Sequence, residues 1–146
     1  MQRKQVTVFN GDDASPEVMK PTVELLQKLE LAIDFDFPLI GAAAEKEYGK
    51  ILPDETIASI DAADATFFGS TSGQSTAALF YLRWGKQTYA NIRPCQWIPG
   101  YKSPMANPQG IDFIIVRENL EDLYLGLEGN IEDLHALNFY SKHARS

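Results

Sequence analysis

Residues 6–18 constrain the fold more than any other stretch of this chain. Val6-Thr7-Val8-Phe9 is a short β-prone run, and Asn10-Gly11-Asp12-Asp13 has the composition of a turn. Ser15-Pro16-Glu17 then carries the chemistry of a helix start: Ser15 is expected as the N-cap, Pro16 at the first helical position, and Glu17 against the positive end of the dipole. A strand that turns directly into a helix opens a βαβ unit, and the next seventy residues repeat the alternation. Val18, Thr22, Leu25, Leu26 and Leu29 are the expected buried stripe of that helix, with Pro21 inside it. Ile33, Phe35 and Phe37 alternate with Asp34 and Asp36, as in a strand with one wet face. Residues 42–48 read as a helix ended by Gly49. Leu52-Pro53-Asp54-Glu55-Thr56 starts another, with Ile57 and Ile60 inward, and Ala65–Phe68 reads as a small buried strand. Residues 75–86 again have helical spacing, through Leu79, Leu82 and Lys86. The pattern predicts an α/β fold, mainly a parallel sheet flanked by helices.

Beyond residue 88 the texture changes. Residues 89–98 look extended and end at Trp97-Ile98-Pro99-Gly100, followed by a polar, Pro-containing connector over 101–110. Residues 111–116 form the clearest strand, 123–127 read as another, and 131–137 as a weak helix. The expected division is an α/β layer over 1–98, with 99–146 as connector and start of a second lobe. Composition excludes several roles. Thirteen Lys and Arg against twenty Asp and Glu give a net charge of −7 and a pI near 4.7, with no basic run. Nucleic acid and anionic membrane surfaces both need clustered cations, so neither is an expected partner. No apolar run approaches the roughly 20 residues that span a bilayer, and the N-terminus lacks the greasy centre of a signal peptide. A single cysteine, Cys95, permits no internal disulfide and fits a reducing, cytoplasmic setting.

The glycines near residue 11 follow a strand and open a helix. Yet neither the three-glycine dinucleotide fingerprint nor the Gly-Lys-Ser/Thr of a P-loop is present. An ordinary strand-to-helix turn is the simpler reading, as a serine-rich turn is for 69–73. The arginines say more. Arg83, Arg93 and Arg117 each stand among apolar neighbours, where a guanidinium needs an anion to meet it. Three such forks could clamp a di- or tricarboxylate through bidentate contacts; the alternative is three private salt bridges to nearby acids. Glu118, Glu121 and Asp122 lack a histidine and the spacing of a metal cluster, and read as a solvated acidic face. Tyr124 follows this patch and could serve as a general acid. His135 and His143 read as surface residues, and Cys95 as a small core hydrophobe.

These residues fall into an ordered set. Gly11-Asp12-Asp13-Ala14-Ser15-Pro16-Glu17-Val18 resembles the Gly-Asp-Gly-Ile-Gly-Pro-Glu-Val opening of the isocitrate/3-isopropylmalate dehydrogenases, the metal-dependent decarboxylating β-hydroxyacid dehydrogenases. Leu52-Pro53-Asp54-Glu55-Thr56, Asn91-Ile92-Arg93-Pro94, Ser103-Pro104 and the run from Val116-Arg117-Glu118-Asn119 through Asp122-Leu123-Tyr124 follow in the family's order. The intervals Arg83 to Arg93, Arg93 to Arg117 and Arg117 to Tyr124 are 10, 24 and 7 residues. The resemblance spans nearly residues 6–128 and implies a partial isopropylmalate-dehydrogenase-like fold.

The resemblance also implies roles. Arg83, Arg93 and Arg117 would hold the carboxylates of a malate-like substrate, and Tyr124 would protonate the enolate carbon left when CO₂ departs. Thr76, Leu79 and Phe80, ahead of the first arginine, would set substrate choice; Ala77 and Leu79 replace the serine and asparagine suited to isocitrate's extra carboxylate. Ala14, Ser70, Thr71 and Asn91 would lie on the cofactor side. The implied cofactors are NAD or NADP with Mg²⁺ or Mn²⁺, and no residue here is assigned to the metal. Asp13 and Ser15 replace two glycines of the opening motif. The family's catalytic lysine, metal-binding aspartates and adenosine-gripping loop belong to a second half that this sequence does not show. The expectation is therefore the N-terminal part of a 2-hydroxyacid oxidoreductase, inactive alone, and a homo-oligomer or the partner of a complementing second half. The alternative is a non-catalytic carboxylate-binding or regulatory subunit that pairs with a full-length paralogue.

Overall fold

A computed structural model describes residues 3–121; Asp122, Tyr124, the strand expected at 123–127, the helix expected at 131–137, His135 and His143 lie outside the described residues. The chain divides into two compact units, Met1–Lys86 and Gln87–Ser146. The first contains β1 (Lys4–Phe9), α1 (Ser15–Lys28), β2 (Ile33–Asp36), α2 (Gly41–Tyr48), α3 (Asp54–Ala62), β3 (Ala65–Phe68) and α4 (Thr76–Phe80). The second contains β4 (Ala90–Gln96) and β5 (Asp112–Glu118).

The three strands of the first unit form a parallel sheet in the order β2-β1-β3. Lys4 pairs with Ile33 on one side, and Val6 with Ala65 on the other. β1 is therefore central, and Thr7, Val8 and Phe9 are at most 2% exposed. Val8 packs with Met19 and Val23 of α1, supported by Val6, Phe35 and Phe67. Thr7 turns to the opposite face, where its hydroxyl bonds the carbonyl and hydroxyl of Ser59 on α3. Ser59 Oγ donates onward to Asp36 Oδ2 at 2.6 Å, so the wet edge of β2 is tied to the same helix. Asp64 pins the start of β3 to β1 by accepting from Lys4 Nζ and the Gln5 amide, and these bonds hold its carboxyl below its ordinary pKa.

The elements lie close to their sequence positions, with informative exceptions. Ala14, not Ser15, is the N-cap of α1, and no side chain caps that end. Ser15 is already helical, and its hydroxyl instead accepts the Ser70 amide from the loop after β3 at 2.9 Å. The buried stripe of α1 is also rotated by one residue. Met19 and Val23 are buried and Thr22 and Leu26 half-buried, whereas Val18, Leu25 and Leu29 are more than half exposed. Both faces of this helix carry apolar residues, so period alone does not set its phase. The reach of Met19 onto Val8 does. Residues 75–86 are helical but not uniformly: a 3-10 turn at Gly73–Ser75 precedes α4, and a wide π turn at Tyr81–Gly85 follows it.

The extended run at 89–98, assigned to the first layer by sequence, is β4. It pairs antiparallel with β5 as a two-stranded ribbon in the second unit, with Ala90 opposite Glu118 and Gln96 opposite Asp112. Cys95 is half-buried on this ribbon opposite Phe113, so it is not the core hydrophobe expected, because a two-stranded ribbon has no interior. At the end of β5, the Glu118 carboxylate accepts the amides of Leu120 (2.6 Å) and Glu121 (3.0 Å), which lower its pKa from the ordinary 4.5.

Two outcomes follow. Gly69 lies where a Cβ would collide with the Asn10 carbonyl and Ser15 Oγ, both fixed, whereas Gly49 has φ +71 but open space around it. Gly69→Ala is expected to cost about 1–3 kcal/mol by overpacking, and Gly49→Ala about 1 kcal/mol by backbone strain, both read from urea denaturation. Glu118 has a folded pKa below its unfolded value, so its stabilisation is complete above about 4.5 and is lost as pH falls through the lower folded value. Amide exchange at Leu120 and Glu121, corrected for intrinsic rates, is expected to accelerate across that acid window and to be insensitive to pH in Glu118→Gln.

Candidate carboxylate-binding site

Register on the ribbon decides which arginines can act together. In an antiparallel pair, directly opposed residues share a face, and residues two apart on one strand share it too. Asn91 is opposite Arg117 and Arg93 is opposite Ile115. Asn91, Arg93 and Arg117 therefore lie on one face of the β4–β5 ribbon, Arg93 and Arg117 as a diagonal pair within reach of long side chains. Arg93 Nε donates to Asn91 Oδ1 at 3.2 Å, a bond that does not use the two terminal nitrogens of the guanidinium. Among the described residues Arg93 forms no ion pair.

Arg83 belongs to the other unit. It sits half-buried in the π turn after α4 and likewise forms no ion pair among the described residues. The turn is built by local chemistry. The Lys86 amide bonds the Tyr81 carbonyl at 3.0 Å, and a side chain at Gly85 would meet the Tyr81 ring. Tyr81 Oη and Lys86 Nζ both donate to Asp61 Oδ1 of α3, at 2.8 and 3.0 Å. The tyrosine bond first, then the lysine, holds Asp61 below the ordinary carboxylate value, while Asp61 raises the Tyr81 phenol. Ahead of this turn, Thr76 and Leu79 are half-buried on α4, and Phe80 is exposed with its ring 4.8 Å from that of Trp84. Thus Arg93 and Arg117 are brought together on one ribbon, Thr76, Leu79, Phe80 and Arg83 lie in sequence on one helical stretch, and Tyr124 lies outside the described residues.

At the carboxyl ends of β1 and β3 the two following loops are stitched together. The Asp12 amide donates to the Ser70 carbonyl, Ser15 Oγ accepts the Ser70 amide, and the Asp12 carboxylate accepts the Ser72 amide and the Ser75 hydroxyl. Asp13 Oδ2 accepts the Ser72 hydroxyl at 2.5 Å. This is the point where the sheet order reverses, the usual crevice for a nucleotide. Here the Ser70 and Ser72 amides are already used and two carboxylates line the loop, so it does not fit a pyrophosphate. Ala14, Ser70 and Thr71 sit on these loops, and Asn91 sits on the ribbon as the partner of Arg93. Among the described residues no three His, Cys, Asp or Glu side chains are grouped to hold a metal ion.

Sequence reasoning missed the pairing of Asn91 with Arg93, although the i, i+2 spacing on an expected strand was a usable signal. It also missed the loop stitching, whose partners are 55 to 63 residues apart.

The comparisons with known proteins bear on the same elements. The model of the isocitrate/isopropylmalate dehydrogenase family matches residues 5–145. The chain is 35% identical over 131 residues to the 3-isopropylmalate dehydrogenase of Archaeoglobus fulgidus, covering 90% of this chain and 39% of that protein. It is 34% identical over 132 residues to the NADP isocitrate dehydrogenase of Thermus thermophilus, covering 86% and 26%. Among solved structures, the isocitrate dehydrogenase of Methylococcus capsulatus superposes with a TM-score of 0.72 at 28% identity, over 87% of this chain and 37% of that one. The chain thus spans about two-fifths or less of the length of these relatives. With the opening motif, the arginine spacing and the parallel sheet in agreement with a match over nearly its whole length, this chain belongs to the isocitrate/isopropylmalate dehydrogenase family.

Proposed function

We propose that this chain supplies the substrate-carboxylate side of an NAD(P)- and divalent-metal-dependent dehydrogenase that oxidises and decarboxylates a malate-like 2-hydroxyacid. The observation that carries the reading is the shared face of Arg93 and Arg117, with Arg93 oriented by Asn91 and without an ion pair among the described residues. Two guanidinium groups on one face of a ribbon suit a dicarboxylate, because a guanidinium is a planar fork of donors that does not deprotonate. Arg83 is the third fork, and Tyr124 the acid that protonates the enolate carbon.

The substrate carries a compact or apolar substituent. Leu79 and Ala77 offer no polar partner for a third carboxylate, and leaving one desolvated and unpaired is costly. A 3-isopropylmalate-like, malate-like or tartrate-like acid therefore suits α4 better than isocitrate. The cofactor and the metal ion belong to chain beyond the residues described here. The β1 and β3 loops do not fit the phosphates, so no chemical step is assigned to those loops. The remainder of the architecture, in the same polypeptide or a complementing one, also covers the apolar ribbon, where Ile92, Ile114 and Val116 are each more than 60% exposed.

Isothermal titration of the 146-residue chain with malate and with tartrate tests the clamp. Saturable binding is expected, weakened about tenfold or more in Arg93→Ala as a charge-assisted bidentate contact is lost. Asn91→Ala is expected to weaken it severalfold through disorder of the guanidinium. Equal affinity in Arg93→Ala would end the reading. The same chain supplied with NAD⁺ or NADP⁺, Mg²⁺ or Mn²⁺ and either acid is expected to form no reduced cofactor at 340 nm, and measurable turnover would refute the assignment of metal and cofactor groups to other chain.

A further inference from the structure

We propose that Asp12 is a positioning residue for the helical stretch that carries Thr76, Leu79 and Arg83, and that Asp13 reinforces it. A serine at a helix N-cap ordinarily accepts from its own first turn. Ser75, the N-cap of α4, makes no such bond; it is 3% exposed, and its hydroxyl donates to Asp12, 63 residues earlier in the chain. The same Asp12 oxygen accepts the Ser72 amide at 2.9 Å, and the Asp12 amide holds the Ser70 carbonyl at 2.9 Å. Asp12 thus grips the entry to α4 at three points from the end of the central strand. Asp13 adopts φ +53, a conformation more natural to glycine, and from there reaches the Ser72 hydroxyl. The two adjacent acids take both polar hydrogens of one serine. Gly41, at the start of α2, closes the other side, since a Cβ there would lie 3.2 Å from the Ser75 amide nitrogen.

The consequence is geometric. α4 is only five residues long and has no side-chain cap, so the hold of Asp12 on Ser75 fixes its entry, as Asp61 fixes the turn at its exit. The position of Arg83, one turn beyond, inherits both. The functional meaning rests on the substrate reading of α4 given above; the positioning itself does not.

The test uses the 146-residue chain with Trp97→Phe, which leaves Trp84 as its single tryptophan, stacked on Phe80 at the end of the stretch. In Asp12→Ala, amide exchange over residues 76–85 is expected to rise tenfold or more, and acrylamide quenching of Trp84 severalfold, with exchange in β1 and α1 unchanged. Asp12→Asn, which retains an acceptor for the Ser72 amide and a partner for Ser75, is expected to restore both signals. Should Asp12→Ala not fold, Ser75→Ala carries the same expectation for the same amides. Unchanged exchange over 76–85, acceleration spread evenly over all elements, or no rescue by asparagine would overturn the proposal. Malate titration of the unmutated chain tests the substrate reading alone. Its failure would remove that reading and leave the exchange result to decide the positioning.

Discussion

The first unit depends on one strand being buried on both faces and paired on both edges. β1 meets β2 and β3 in parallel, so every backbone group along its centre has a partner, and its side chains must satisfy two different helices. Val8 does so with hydrocarbon against Met19 and Val23; Thr7 does so with a hydroxyl against Ser59. A buried threonine would be costly without that bond, and Ser59 is fixed in turn by Asp36. The sheet, α1 and α3 are thereby locked at a single strand. The loops that leave its carboxyl end inherit that rigidity, which is why a side chain as short as Asp12 can direct a helix so far along the chain.

The ribbon of the second unit is a platform of another kind. Its described residues include no helix, and Phe113, Ile114, Ile115 and Val116 are 46–66% exposed on alternating faces. An isolated pair of strands is marginal in water, and apolar residues on both of its faces belong to the middle of a larger sheet. The arginines make sense on such a platform. Once a sheet is covered, an arginine on it loses water, and only a carboxylate or phosphate with matched geometry compensates. Asn91 takes the Nε hydrogen of Arg93 on this platform, which leaves the end of the guanidinium with its two terminal nitrogens for another partner.

Much of this was legible locally. The turn after Val8 and Phe9, the helix start at Pro16, the left-handed glycine after Tyr48 and the alternation of Ile33 with Phe35 are short-range signals, and each element lies within a residue or two of its expected bounds. What stayed hidden was set by distance or by degeneracy. Ser15 carries the marks of a cap, but its hydroxyl is claimed by Ser70, a partner visible only once β1 and β3 are neighbours. Helix α1 is apolar on two sides, so its phase awaited the sheet. The π turn at Tyr81–Gly85 has no signature by itself; it follows from a tyrosine ring lying over Gly85 and from Asp61 reaching across from α3. For the arginines, their apolar neighbours and the family resemblance singled out the residues, and strand register supplied the shared face of two of them.

The π turn also explains why helical periodicity is a poor guide to where Arg83 lies. In an uninterrupted α-helix, Thr76, Leu79, Phe80 and Arg83 would form one stripe at i, i+3, i+4 and i+7. A wide turn holds more residues per revolution, so Arg83 is displaced from the line set by the first three. The displacement is stabilised at one end by the Tyr81 and Lys86 bonds to Asp61 and at the other by the Phe80–Trp84 stack. The Tyr81 and Lys86 bonds hold the Asp61 carboxyl below its ordinary value, and Asp61 in turn raises the Tyr81 phenol. Leu79 thus precedes the π turn and Arg83 lies within it, so helical periodicity alone does not relate the directions of the two side chains.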